Sequence, residues 1–264
     1  MNYSTRLATI AGALLATAAV AAAPPNTTVV IPAGRYDVNL TVEKPLTLRG
    51  SGPETILDGG GNGTVLTVRG DRVAVTSLSL TGTGAVDAKS PTAGNASRYA
   101  DTTMLVYGRS DAAVTLVNAS ESLVADVRVE TEATGVMLQY SDRTVVRNVT
   151  VRGTDEPRDG SMGVITLYSR AVVEDSRVRG GRDGVYLHRS DGAVVRDNDL
   201  GEQRYGIHEM YTSDLLLANN TLQGADTGII LMTRPANNKL VGNRATDNRQ
   251  GIYAIGGSSY LAEN

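Results

Sequence analysis

The chain has 264 residues, 41% of them hydrophobic and 20% charged, with a formal charge of −3. This is globular composition with one core expected, and the lack of a basic field argues against nucleic acid as a partner. Cysteine, phenylalanine and tryptophan are absent, which excludes disulfides and thiolate metal ligands and leaves Val, Ile, Leu, Ala, Met and some Tyr to build the interior.

The chain opens with MNYSTR, the apolar run LATIAGALLATAAVAAA and then PP. A short basic start, a run of that length and small residues before a cleavage point predict a signal peptide over residues 1–23, removed on export. The run is marginal for spanning a bilayer and no later segment qualifies, so residues 24–264 are expected to be one exported domain, in the periplasm or at the extracellular face of the membrane. Asn26, Asn39, Asn62, Asn95, Asn118, Asn148 and Asn219 each begin an N-x-S/T sequon, readable as glycosylation acceptors or as ordinary turn asparagines.

The next stretches, TVEKPLTLRG, TVLTVRG, RVAVTSLSL and DVRVE, are strand-like but irregular and are expected to form the first coils. PTAGNASRYADTT, 91–103, predicts a loop bulging from them. From residue 135 a repeat takes over: GVMLQYS, GVITLYS, GVYLHRS, GIHEMYT, GIILMTR and GIYAIGG are versions of one motif, their glycines 28, 21, 22, 22 and 23 residues apart. A second aliphatic piece follows each, as in VVRDNDL from Val194 and LLANNTL from Leu216. A period near 22 with strands, polar corners and no helical pattern predicts an all-β fold, a right-handed parallel β-helix with one coil per unit. The last unit ends at SSYLAEN with no visible cap, so a partner or further coils are expected there.

Strand alternation assigns a direction to each column. The first and third residues after glycine should face the core: Val136, Val164, Val185, Ile207, Ile229 and Ile252, then Leu138, Thr166, Leu187, Glu209, Leu231 and Ala254. Glu209 is the misfit: an inward carboxylate among aliphatics would need a partner or a raised pKa, and the expectation is that a local bend or end effect leaves it wet. The second and fourth should face outward: Met137, Ile165, Tyr186, His208, Ile230 and Tyr253, then Gln139, Leu167, His188, Met210, Met232 and Ile255. These columns hold both histidines of the chain and no carboxylate. His188, Met210 and Met232 should stack on consecutive coils with His208 beside Met210. Imidazole with thioether suits copper(I) better than zinc or calcium. Equally, such a stripe can be packing or a docking surface.

Residues 181–233, GRDGVYLHRSDGAVVRDNDLGEQRYGIHEMYTSDLLLANNTLQGADTGIILMT, resemble the NosD family, exported β-helical factors for assembling the copper centres of nitrous oxide reductase. Residues 29–68 resemble the opening coils of the carbohydrate-binding and sugar-hydrolase type of β-helix, to which that family belongs. The resemblance implies a copper(I)-handling accessory protein rather than an enzyme. It also implies an ABC transporter permease and ATPase, a copper-donating lipoprotein and nitrous oxide reductase as partners, and His188, His208, Met210 and Met232 as metal ligands. Two other classes remain readable from the residues. A secreted polysaccharide-binding or polysaccharide-degrading β-helix would need carboxylates on one outward face, whereas Asp183, Asp197 and Asp226 fall at corners; Arg182, Arg204 and Arg249 form a stripe fit for an anionic sugar or for solvent. A structural or adhesive surface protein would need only the stack.

Overall fold

The computed structural model describes residues 3–84, 107–155, 160–233 and 235–264; the loop expected over 91–103 lies outside them. The repeat folds into a parallel β-helix. One face is a nine-stranded parallel sheet whose strands follow strict chain order: Leu40–Val42, Leu66–Val68, Ala112–Val117, Thr134–Gln139, Met162–Leu167, Asp183–His188, Tyr205–Met210, Thr227–Met232 and Gln250–Ala254. Two further faces share the long strands Ala74–Thr81 and Leu123–Glu130 and so join as one 17-stranded sheet. Helix Tyr3–Ala22 lies against the first coil, where Ala16 and Val20 join the core.

Inside, each column stacks on itself. Val136, Val164, Val185, Ile207 and Ile229 are fully buried, as are Leu138, Leu187 and Leu231. The repeated glycine has a steric cause. A Cβ on Gly163 would sit 2.3 Å from the carbonyl oxygen of Gly184, one on Gly184 2.6 Å from that of Gly206, and one on Gly206 2.6 Å from that of Gly228. A Cβ on Gly163 would also strike Val178 at 2.6 Å, so the glycine position and the valine after it both turn toward the core. Ala113 and Val114, at the same positions one coil earlier, are both in the core cluster. This local bulge breaks the alternation and turns the residue before the glycine outward.

The corners are closed by side chains that substitute for backbone acceptors. After the strands of the nine-stranded sheet a hydroxyl ladder runs up the stack: Ser141 Oγ accepts from Ala119 N at 3.0 Å, Ser169 Oγ from Ser141 N at 2.9 Å, Ser190 Oγ from Ser169 N at 3.2 Å and Thr212 Oγ1 from Ser190 N at 3.2 Å. The next rung in the sequence is Arg234, which has no hydroxyl. Glu209 takes over. It is fully buried, and its Oε1 accepts from Thr212 N at 2.6 Å and its Oε2 from Met232 N at 2.8 Å. The expectation that Glu209 stays wet is therefore corrected: an orphaned amide, not a bend, accounts for an acid in an aliphatic column. Burial outweighs the two amides and pushes its pKa from 4.5 up to about 7.

At the next bend a buried asparagine ladder does the same work. Asn220 Oδ1 accepts from Asn198 N at 3.2 Å and from Asn198 Nδ2 at 2.9 Å, while Asn220 Nδ2 donates to Val195 O and Asn243 Oδ1, both at 2.9 Å. Asn243 repeats the pattern on Asn264.

Two stability predictions follow from these corners. Asn220→Ala orphans the Asn198 amide and removes four bonds in a dry site, which should cost about 3 kcal/mol in denaturant unfolding; a loss below ~1 kcal/mol would mean that water replaces the rung. Because the folded pKa of Glu209 is raised, its stabilising effect is complete below pH 4.5 and is lost as pH rises through about 7. The stability difference between the protein and Glu209→Gln should thus fall by on the order of 3 kcal/mol across that window, and a difference independent of pH would refute the assignment.

Candidate metal site

The strand register brings the candidate ligands onto one face. His188 pairs with Met210 and Met210 with Met232, while Tyr186, His208 and Ile230 form the adjacent column. His208 and Met210 are two residues apart on one strand. His188 and His208 are buried, and Met210 and Met232 are half-buried. The four residues thus occupy three consecutive coils.

That outward face is not open. Ala112, Met137, Met162, Ile165, Leu167 and Tyr186 form a second apolar cluster, separate from the core, with Tyr107, Tyr168 and Met210 packed against it. A short turn at Tyr107–Arg109 forms part of the cover, and Gln139 Nε2 donates to the Gly108 carbonyl at 2.8 Å. Toward the last coil the cover ends, and Tyr253 and Ile255 are exposed. The apolar stripe is therefore explained, over its first coils, by a second packed layer.

Sequence alternation placed no carboxylate here, and the structure corrects this. The bulge at Gly184 turns Asp183 outward, where its Oδ2 lies 3.0 Å from Nδ1 of His208. Asp183 is completely buried, and Arg182 approaches the same oxygen at 3.5 Å. Burial alone would raise the Asp183 pKa; His208, Arg182 and Arg204 outweigh it and hold the carboxyl below its usual range. A carboxylate on Nδ1 selects the tautomer that leaves the Nε2 lone pair available. That Nε2 is buried and has no hydrogen-bond partner.

Tyrosines frame the imidazoles. The rings of Tyr186 and Tyr205 lie 4.8 Å from that of His208, and the edges of Tyr168 and Tyr211 meet His188 at 5.8 and 5.7 Å. The Tyr186 hydroxyl donates to Met210 Sδ at 3.3 Å, so Tyr186 orients a thioether that bears one of the candidate donors. The arginine stripe seen in sequence is drawn into this frame: Arg182 bonds the Tyr107 hydroxyl, and Arg204 lies 4.3 Å over the Tyr205 ring. Among the described residues no three His, Asp or Glu side chains converge to hold a metal. Asp183 is the residue here that column reading missed, whereas Tyr186 stands in the outward column expected of it. The glycine repeat was the available signal for Asp183, had its inward direction been recognised.

Comparison with known proteins supports the fold and gives one partial family match. The chain resembles the hyperthermoactive exopolygalacturonase from Thermotoga maritima with a TM-score of 0.61 at 14% identity, over 89% of this chain and 70% of the other. It resembles the A-module of the mannuronan C-5 epimerase AlgE4 from Azotobacter vinelandii with a TM-score of 0.50 at 14% identity, over 96% and 91%. At such identity the likeness is one of fold. No curated protein matches the sequence. The family model described as NosD, periplasmic copper-binding protein, matches residues 158–264, less than half of the chain but the part that contains all four candidate ligands. Over those residues the chain is similar to the NosD family model.

Proposed function

We propose that the protein binds copper(I) outside the cytoplasm through His188, His208, Met210 and Met232 and passes it on for assembly of the copper centres of nitrous oxide reductase. In this reading a copper-donating lipoprotein supplies the ion, an ABC transporter permease and ATPase act with the protein, and residues 1–23 are its export signal. The family description, a periplasmic copper-binding protein, supports the copper and the compartment. No described helix is long and apolar enough to cross a membrane. The observation that carries the reading is the His208 imidazole: Asp183 occupies Nδ1 at 3.0 Å, and Nε2 is left buried and unpartnered beside the methionine column. A carboxylate behind a ligating histidine fixes the ring and raises its basicity. Neutral imidazole and thioether donors suit a soft monovalent ion.

The second reading, a polysaccharide-acting protein, draws on the same Asp183–His208 pair with Arg182 beside it. Burial counts against it, since Asp183 is wholly covered and His208 is 3% exposed, and a polymer would have to displace that cover.

Copper(I) titration against a chromogenic chelator separates the two. The protein should bind one copper(I) tightly, and Met210→Ala with Met232→Ala should weaken binding by at least about tenfold; equal binding by the double variant sinks the site. Asp183→Asn keeps the shape but loses the charge behind His208, and should weaken copper(I) about 10- to 100-fold. If that variant binds normally yet turnover of a uronic-acid polymer by the parent protein is found and lost, the second reading replaces the first.

A further inference from the structure

The corner between the two faces of the 17-stranded sheet recurs in six successive coils, and each coil places a residue of positive φ there: Asp126 at 56°, Asn148 at 51°, Asp175 at 50°, Asp197 at 57°, Asn219 at 55° and Gly242 at 64°. Asp, Asn and Gly all tolerate this conformation, so the backbone alone does not choose among them. The residue two positions on is stacked in register through the same coils, as Arg128, Thr150, Arg177, Asp199, Thr221 and Arg244. The two columns vary together. Threonine follows each of the two asparagines, and a charged residue follows each aspartate and the glycine.

Threonine suits an exposed strand in any coil, so its restriction to these two needs a further cause. Packing does not supply one. Thr150 is exposed and Thr221 half-buried, and among the described residues neither hydroxyl has a hydrogen-bond partner. Other sequons differ in this respect. Ser120, two residues after Asn118, accepts from Asp142 N at 3.1 Å, and Thr64, two after Asn62, accepts from Ala112 N at 3.1 Å. Asn39 spends its Nδ2 on the carbonyls of Asn62 and Thr64, at 2.9 and 2.8 Å. Those residues have structural causes. The pairs Asn148–Thr150 and Asn219–Thr221 are left with the N-x-T pattern itself.

We propose that Asn148 and Asn219 are N-glycosylated as the chain is exported. Asn Nδ2 attacks the anomeric carbon of a lipid-linked sugar phosphate. The N–C bond forms as the C–O bond to phosphate breaks, the lipid phosphate leaves with the bonding pair, and one amide proton passes to the transferase. Both asparagines are exposed, so the coils can close with the sugars outside. In the folded chain Asn148 Nδ2 donates to Asp126 Oδ1 at 2.6 Å and Asn219 Nδ2 to Asp197 Oδ1 at 3.2 Å; an amide nitrogen that carries a sugar keeps one N–H for that bond. The two sites are three coils apart, roughly 14 Å, which gives each glycan its own space. Their corner lies across the coil from the nine-stranded sheet, so the face with the candidate ligands stays clear. The inference rests on the export reading of residues 1–23 and is independent of copper.

Glycopeptide mass spectrometry tests it, on protein recovered from outside the cytoplasmic membrane of the cells that make it. Peptides spanning Asn148 and Asn219 should carry an added glycan mass and release sugar ions on fragmentation. Asn237 is exposed with φ at 56° but is followed by Lys239, and it should stay bare. Thr150→Ala should abolish the addition at Asn148 and leave that at Asn219, Thr150→Ser should restore it, and Thr221→Ala should do the reverse. A chain that begins after residue 23 with both asparagines bare overturns the glycans and leaves the export reading standing. Bare asparagines on a chain that keeps residues 1–23 overturn both. An addition that survives Thr150→Ala, or one on Asn237, overturns the sequon assignment, and the wild-type peptides give their answer whether or not the variants fold.

Discussion

The spacing of the coils is set by a glycine that cannot carry a side chain. Each repeat glycine lies so close to the next that a Cβ would come within 2.3 to 2.7 Å of the following glycine's carbonyl oxygen, from Gly135 up to Gly228. From Gly135 to Gly228 such an approach leaves no space for a Cβ without a shift, although the coil before them carries Ala113 at this position, and a register slip of one would drive a valine into it. Everything on the outward face inherits that lock. His188, Met210 and Met232 are neighbours because Val185, Ile207 and Ile229 are neighbours beneath them. The corner ladders reinforce the same register, each rung accepting from the coil before it.

The sequence made the coil period, the parallel stacking and the two inward columns legible, since aliphatic residues recurring every 22 positions between polar corners have few other ways to bury themselves. Three features were not legible, each for a physical reason. Asp183 was assigned to a corner because strict alternation does not anticipate two successive inward positions at Gly184 and Val185; the bulge is a consequence of contact with the next coil, absent from any single repeat. Alternation alone leaves Glu209 without a partner, because the Met232 amide that it accepts from lies 23 residues on in sequence and is brought to it only by the fold. The burial of Met137, Ile165 and Leu167 depends on a layer that includes Tyr107, whose distance along the chain conceals the contact.

Those omissions concern the surroundings of the candidate ligands, and the surroundings decide which ion fits. Water-free burial penalises an ion in proportion to the square of its charge, so a pocket lined by tyrosine and methionine disfavours divalent ions more than monovalent ones. Neutral donors do nothing to reverse this. A carboxylate among the proposed ligands would, but Asp183 is held on Nδ1 of His208, where it would sharpen the imidazole as a donor without itself facing an ion at Nε2. The same reasoning explains the value of Tyr186. Its hydroxyl on Met210 Sδ fixes a flexible thioether, and its ring excludes water from His208. In the proposed copper site, preference for a soft monovalent ion would follow from Asp183 lying behind His208 and from the apolar layer around the ring.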